Sequence, residues 1–202
     1  MQASALTAWE LYCRRGDRLL FSSLDLKLER GDALHLVGPN GVGKTSLIRM
    51  LAGLLPPSRT DLPPDLPQVG TVQWQGSVAM LDQRISIDEH LPLGAALKFW
   101  KSIDRWQTLP LERLGLASLF DVPVRYLSTG QRKRAAFARL LGQDAPNWLL
   151  DEPLNGLDSS GTSLVEELIN EHRTKGGSVV VASHQPIILP DAIVIDMADQ
   201  LK

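Results

Sequence analysis

The sequence has little cysteine and no long apolar run, and both absences restrict what the chain can be. Cys13 is the single cysteine among 202 residues, which excludes an internal disulfide and a metal site built from cysteines and is typical of a reducing compartment. The longest apolar runs, such as residues 178–182, are far shorter than the roughly 18 residues that a bilayer-spanning helix needs. Residues 1–15 lack the basic and apolar stretches of a secretory signal. We therefore expect a chain that is soluble by itself and that serves a membrane only through another polypeptide.

An excess of basic residues is also missing. The chain has 21 lysine and arginine residues against 23 acidic residues, a net charge of −2. A protein that gathers nucleic-acid phosphates usually presents a strong positive field, so we do not expect nucleic acid as a partner. The length suits one domain, and we predict a single domain over residues 1–202.

The spacing of apolar residues predicts an α/β fold. Short apolar runs at residues 33–37, 148–150, 178–182 and 192–195 are typical of strands buried on both faces of a parallel sheet. Helical patterns lie between them; one covers residues 45–52 and is closed by Gly53. Alternation of such strands and helices indicates an α/β core.

Two further segments are predicted beside this core. Leucines alternate at period two over residues 20–28, which indicates an antiparallel β flap. Leucine spacing over residues 91–120 is helical, and we predict a small inserted α-helical subdomain over approximately residues 84–142. The five prolines of residues 56–70 predict an exposed loop, followed by a short strand at residues 71–75.

The segment GPNGVGKT at residues 38–45 matches the P-loop pattern, between an apolar strand and a helical run as the motif requires. Its glycines let backbone N–H groups surround phosphates, and the helix N-terminus adds a favourable dipole. Lys44 is expected to reach the β- and γ-phosphates and the Thr45 hydroxyl to coordinate Mg²⁺. The alternative is a glycine-rich turn that only caps a helix. The predicted phosphate-binding residues are Gly38, Pro39, Asn40, Gly41, Val42, Gly43, Lys44, Thr45 and Ser46.

A second motif, NWLLDE at residues 147–152, is an apolar strand that ends in two carboxylates. Asp151 is predicted to hold Mg²⁺, and Glu152 to act as the general base that polarises the attacking water. Strands often end in acids at a solvated turn, so this motif gains its weight from the P-loop about a hundred residues upstream.

A third motif, LSTGQ at residues 127–131, combines a structural and a functional interpretation. Ser128 followed by Gln131 forms a capping-box pattern before a helical run at residues 132–141. The free N–H groups of such a helix start also bind phosphate well. The basic run Arg132, Lys133 and Arg134 is interpreted as a solvated helix face.

The order of P-loop, LSTGQ, LLDEP and a histidine after a strand resembles the ATP-binding cassette (ABC) family across essentially the whole chain. The resemblance implies an ABC ATPase core of the P-loop NTPase type, with ATP and Mg²⁺ as cofactors. It also implies a homodimer that encloses the nucleotides between its two subunits. In this dimer Ser128, Gly130 and Gln131 contact the γ-phosphate bound by the opposing subunit.

Other roles are implied by the resemblance alone. Gln83 stands at the position of the family's glutamine that touches Mg²⁺ and water, and His184 at that of the histidine that contacts the γ-phosphate. Asp158 would communicate across the dimer, although its Asn-Gly turn has a purely structural explanation too. The implied catalytic residues are Glu152, His184 and Gln83, and the implied metal-binding residues are Thr45, Gln83 and Asp151.

The adenine-stacking aromatic of the family is not at its usual place. Arg15 occupies the expected position by spacing from Gly16, and its guanidinium can stack on a base, whereas Tyr12 lies three residues early. Both alternatives stay open.

The short chain and the segment SHQPI at residues 183–187 resemble the ATP-binding subunits of haem exporters for cytochrome c maturation. This implies a peripheral subunit on the cytoplasmic face of the inner membrane, bound through the helical insert to an integral membrane subunit. The histidines show no haem-ligand pattern. Two alternatives remain: a non-transport ABC ATPase acting on nucleic acid or the ribosome, and an exporter of another small substrate.

Overall fold

The computed structural model describes residues 4–57, 70–83, 86–104 and 111–200. In this part of the chain the strands are β1 (Leu6–Arg15), β2 (Arg18–Leu28), β3 (Ala33–Val37), β4 (Thr71–Trp74), β5 (Val78–Leu81), β6 (Asn147–Asp151), β7 (Ser178–Ala182) and β8 (Ile193–Asp196). The helices are α1 (Lys44–Leu51), α2 (Leu93–Asp104), α3 (Thr129–Gly142) and α4 (Ser159–Thr174), with 3-10 turns at Ala117–Leu119, Val124–Tyr126 and Met197–Gln200.

The central sheet is parallel, as the apolar runs predict. Its strand order is β5-β6-β7-β3-β8, and each neighbouring pair is parallel. Every residue of β6 and β7 is buried. The prediction of burial on both faces is wrong for β8, where Ile193 is 43% and Val194 60% exposed, because among the described strands β8 is an edge strand that pairs only with β3.

The predicted antiparallel flap is confirmed. A second sheet has the order β2-β1-β4, and both pairs in it are antiparallel. The leucines of β2 alternate as expected, with Leu24, Leu26 and Leu28 buried. The short strand predicted at residues 71–75 is β4, and it completes this sheet.

The parallel sheet separates two apolar cores, because successive side chains of a strand point to opposite faces. On one face Leu34, Leu36 and Val180 pack with α1 and with the antiparallel sheet. On the other face Val179 and Val181 pack with side chains of α3 and α4. Both faces are covered, as parallel sheets require.

Helix α2 packs against α3, in the region of the predicted helical insert. The start of α2 also packs closely on Phe120, which precedes α3: a Cβ atom added at Gly94 would lie 2.3 Å from the Phe120 ring. Most of the predicted loop at residues 56–70, and residues 84–85 and 105–110 of the predicted insert, lie outside the described residues. The domain boundaries therefore stay a prediction.

Candidate functional site

The P-loop joins the end of β3 to the start of α1, where the carboxyl ends of the parallel strands meet. Gly38 and Gly43 have φ values of 123° and 120°, which residues with a side chain rarely adopt. A Cβ atom at Gly43 would also lie 3.2 Å from Cβ of Leu20. Only glycine therefore lets this loop turn and lie against β2.

Lys44, the first residue of α1, is buried with 6% exposure. Its Nζ atom donates to the carbonyl oxygens of Gly38 at 2.5 Å and Pro39 at 3.2 Å. The ammonium group thus lies across the loop whose N–H groups would surround a phosphate. A buried cation at a helix N-terminus creates a site for an anion.

Thr45 connects α1 to the end of β6, 106 residues away in the chain. Its hydroxyl donates to Oδ2 of Asp151 at 2.9 Å, and Nε2 of Gln83 lies 3.4 Å from the same hydroxyl oxygen. Asp151 is fully buried. Burial raises its pKa, while the Thr45 hydrogen bond works in the opposite direction and the nearby Asp82 and Glu152 carboxylates raise it further.

These groups suit a magnesium ion. Hydroxyl, carboxylate and amide oxygens are the ligands that Mg²⁺ prefers, and the predicted metal-binding residues Thr45, Gln83 and Asp151 lie together, with Nε2 of the Gln83 amide on the side that faces Thr45. A divalent cation there would lie beside the buried carboxylates of Asp151 and Glu152, which burial leaves poorly solvated, whereas the half-buried Asp82 is already paired with Arg49. The donor set of the described residues therefore fits Mg²⁺.

Glu152 follows β6 in the left-handed region, with φ 50°. Its N–H donates to the carbonyl of Ala182 at 2.8 Å, so the end of β7 holds it in place. His184 Nδ1 lies 2.8 Å from Oε2 of Glu152, and because a carboxylate accepts, Nδ1 carries the proton in this contact. The two predicted catalytic side chains therefore meet directly.

One cleft of about 590 Å³ collects most of the predicted site, a volume in the range of small-molecule sites. Asn155, Arg18 and Leu20 also line it, and none of the three is among the predicted site residues. The lining residues are Arg15, Arg18, Leu20, Asn40, Gly41, Gly43, Lys44, Thr45, Ser46, Gln83, Glu152, Asn155 and His184.

Of the two candidates for base stacking, Arg15 lines this cleft. Arg15 and Arg18 are exposed residues of the β1 and β2 strands and line the cleft beside Leu20. Tyr12 is not among its lining residues. A guanidinium group beside an apolar side chain can support a planar base.

The LSTGQ segment does not line the cleft. Ser128 caps α3: its Oγ accepts from the Gln131 N–H at 3.2 Å, and Gln131 Oε1 accepts from the Ser128 N–H at 2.8 Å. The predicted capping box is therefore confirmed. A Cβ atom at Gly130 would lie 3.0 Å from the carbonyl oxygen of Gly156, so the start of α3 packs on the turn after β6.

Asp158 closes that turn as the N-cap of α4. Its Oδ1 accepts from the Gly161 N–H at 2.8 Å and from the Ser160 hydroxyl at 3.0 Å. These bonds lower the pKa of Asp158. Asp158 therefore has a structural role as the N-cap of α4, which had not been predicted from the sequence, and its predicted role across a dimer stays a prediction.

The interpretation of residues 132–134 as a solvated face is wrong for Lys133 and Arg134. Lys133 is 4% exposed and its Nζ donates to the carbonyl oxygen of Glu152 at 3.0 Å. Arg134 is half-buried and donates to the carbonyl of Leu114 at 3.2 Å. The signal was available, because Lys133, Phe137 and Leu140 follow the i, i+4, i+7 spacing of a buried helix stripe.

Within the described ranges, no helix combines the length and the apolar character that a bilayer crossing needs. The same residues contain no group of three or more histidine, cysteine or acidic side chains placed to hold a metal. The candidate magnesium site relies instead on one carboxylate, a hydroxyl and an amide.

Comparison with known proteins gives a family match. The family model described as "ABC transporter" matches residues 21–155. Several relatives carry the name "Cytochrome c biogenesis ATP-binding export protein CcmA". That of Novosphingobium aromaticivorans is 52% identical over 189 residues, covering 94% of this chain and 93% of the relative. Those of Sphingopyxis alaskensis and Zymomonas mobilis are 46% and 42% identical, covering 89% and 92% of this chain and 89% and 81% of the relatives.

Solved structures share the fold. A nucleotide-free ATP-binding cassette from an ABC transporter superposes with a TM-score of 0.72 at 19% identity, covering 96% of this chain and 88% of that one. An ATP-binding subunit of an ABC transporter gives a TM-score of 0.75 at 20% identity, covering 89% of this chain and 79% of that one. At these identities the likeness shows the fold alone.

Proposed function

The chain belongs to the ABC transporter family, and from this premise we propose that it is the ATP-binding and hydrolysing subunit of a membrane exporter for cytochrome c biogenesis. The observation that carries the proposal is the cleft in which the P-loop, Gln83, Glu152 and His184 meet. Relatives named for cytochrome c biogenesis and export support the biological role. The exported substrate that we infer is haem.

Binding of ATP starts at the P-loop. The Lys44 ammonium group, now bonded to two loop carbonyls, would transfer its donors to the β- and γ-phosphate oxygens, and the N–H groups that open α1 would hold the phosphates. Arg15 and Arg18 would support the base at the other end of the cleft. Thr45, Asp151 and Gln83 would hold Mg²⁺, which when bound neutralises charge on the phosphates.

Hydrolysis requires a base beside the γ-phosphate. Glu152 is buried with 5% exposure, and its carboxylate would accept a proton from the attacking water. His184 holds Oε2 of this carboxylate through Nδ1 and so helps to fix the direction in which the base faces the water. The strained φ of Glu152 sets the direction in which the carboxylate leaves the end of β6.

One chain does not contain a complete site. Ser128 and Gly130 lie at the start of α3 and not in the cleft, and the capped start of α3 presents N–H groups suited to a phosphate. We infer that a second copy supplies this helix start to the γ-phosphate, so that two chains enclose two ATP molecules. Ser128, Gly130, Gln131 and Asp158 would then act at the interface between the copies.

A membrane partner would bind the helical region. Phe99 and Ile103 of α2 are 56% and 55% exposed, and Leu91 is 39% exposed. Leu91, Phe99 and Trp100 line an apolar cavity of about 260 Å³. An exposed apolar surface of this kind marks an interaction site. We infer that it holds an integral membrane subunit, which would place the chain at the cytoplasmic face of the inner membrane.

Complementation tests the proposal. A bacterium that lacks its own cytochrome c biogenesis ATP-binding subunit would be supplied with the wild-type chain, Lys44→Ala or the exposed control Lys27→Ala. We expect haem-stained c-type cytochromes with the wild type and the control, and none with Lys44→Ala. Membrane recovery of the chain without any restored cytochrome c would indicate export of another substrate. Recovery only with ribosomes or DNA would refute the transport function.

A further inference from the structure

Lys133 of α3 is a buried cation to which the ATPase reaction assigns no role. It is 4% exposed, and lysine is almost never fully buried unless it has a partner. Burial lowers its pKa, while the Asp151, Glu152 and Asp82 carboxylates favour the charged form. An apolar side chain would fill this position of the buried stripe at a smaller free-energy cost. The cation therefore calls for a functional explanation.

The group that Lys133 contacts is the backbone of the predicted general base. Its Nζ donates to the carbonyl oxygen of Glu152 at 3.0 Å, and the N–H of Asn155 approaches the same oxygen at 3.4 Å. Because Nζ is nearer and is charged in its ammonium form, it is the stronger of the two donors.

This peptide group needs support from its surroundings. Glu152 has φ 50°, and a residue with a side chain persists in that region only where neighbouring groups hold it. The N–H side is held by the carbonyl of Ala182 at 2.8 Å. Lys133 is the side chain that holds the carbonyl side, and the direction of the carboxylate depends on both.

We propose, on the basis of the ATPase function above, that Lys133 is a positioning residue that fixes the Glu152 backbone and so aims its carboxylate at the attacking water. Lys133 lies in the first turn and a half of α3, close to Gly130, which packs on Gly156 of the turn after β6. The start of α3 therefore contacts the segment that follows β6 in its own subunit at two points, through Lys133 at Glu152 and through Gly130 at Gly156.

The test uses the full chain purified with its membrane partner. Lys133→Met keeps most of the side-chain volume and removes the donor, Lys133→Arg keeps charge and N–H donors, and Lys27→Met is the exposed control. The rate of ATP hydrolysis is divided by the number of ATP-binding sites, which is counted by nucleotide titration. Misfolded protein that binds no ATP therefore does not lower the rate per site. Glu152→Gln and the double variant Lys133→Met/Glu152→Gln are measured in single turnover.

We expect Lys133→Met to lower kcat per site by about tenfold to a hundredfold, the scale of a misplaced catalytic group, with KM for ATP unchanged. Lys133→Arg should recover much of the loss, and Lys27→Met should match the wild type. In the Glu152→Gln background the Lys133→Met change should have no further effect, because the group that it aims is already absent.

Two results would overturn the inference while leaving the general-base role of Glu152 in place. One is that Lys133→Met has the wild-type kcat per site while Glu152→Gln is inactive. This result would refute the role of Lys133 and leave the role of Glu152 intact. The other is an equal loss from Lys133→Met in both backgrounds, which indicates a general structural defect. A Glu152→Gln rate near the wild type would refute the general-base role and remove the basis of the inference with it.

Discussion

Glu152→Gln is the substitution that tests the proposed chemistry most directly. Glutamine has nearly the shape of glutamate, and its amide oxygen can still accept from His184 Nδ1, which lies 2.8 Å from Oε2 in the wild type. The P-loop, Lys44 and Thr45 are untouched, so ATP should bind with unchanged affinity. The amide cannot take a proton from water, and the attack loses its base.

The size of the effect follows from that loss. Positioned general bases contribute typically about 10² to 10⁴ in rate, which is about 3 to 5 kcal/mol of activation free energy. Replacing the Glu152 carboxylate with a neutral amide removes its repulsion of Asp151 and its attraction to Lys133. These two changes oppose each other, so we expect only a small net change in folding stability.

The assay compares Glu152→Gln with Glu167→Gln, an exposed glutamate on α4, in the chain bound to its membrane partner. Single-turnover hydrolysis should fall by at least a hundredfold for Glu152→Gln and remain unchanged for the control. With ATP and Mg²⁺, light scattering should detect a dimer of the isolated Glu152→Gln chain that persists for longer than that of the wild type. Hydrolysis within about threefold of the wild type, or loss of ATP binding, would refute the assignment.

Three further predictions concern the interface, the base and the stability of the fold. Ser128→Arg should abolish ATP hydrolysis and leave nucleotide binding intact, because Ser128 lies outside the cleft of its own chain. Ser128→Thr keeps the cap and serves as the control. Normal turnover in Ser128→Arg would contradict a site that is shared between two copies. Arg15→Ala should raise KM for ATP by about 2- to 30-fold through loss of base stacking with kcat unchanged, and the assignment fails if Tyr12→Ala has that effect and Arg15→Ala does not. Burial lowers the pKa of His172, so its stabilising contribution is present above the unfolded pKa of about 6.5 and is lost as pH falls through the folded pKa. In urea unfolding, the advantage of the wild type over His172→Gln should shrink between pH 8 and pH 5, and a constant or growing advantage would disprove the sign.

Local signals in the sequence were sufficient for much of the fold. The P-loop glycines, the capping box at Ser128 and the apolar run of β7 each describe a few consecutive residues, and the backbone there follows from local sterics and hydrogen bonding. The buried runs also indicated a parallel sheet. The run that forms β8 was misjudged because an apolar composition does not reveal whether a strand has a neighbour on each side.

The site divides in the same way. By itself, the sequence determined which residue types stand at the ends of the strands, since each motif is a short pattern with its own chemistry. Only the tertiary structure decided which of these groups meet: Thr45 with Asp151, His184 with Glu152, and Lys133 with the Glu152 carbonyl. These contacts join residues that are 106, 32 and 19 positions apart. Their distances are set by the packing of β6, β7, α1 and α3 at the carboxyl ends of the parallel strands, which no local pattern encodes.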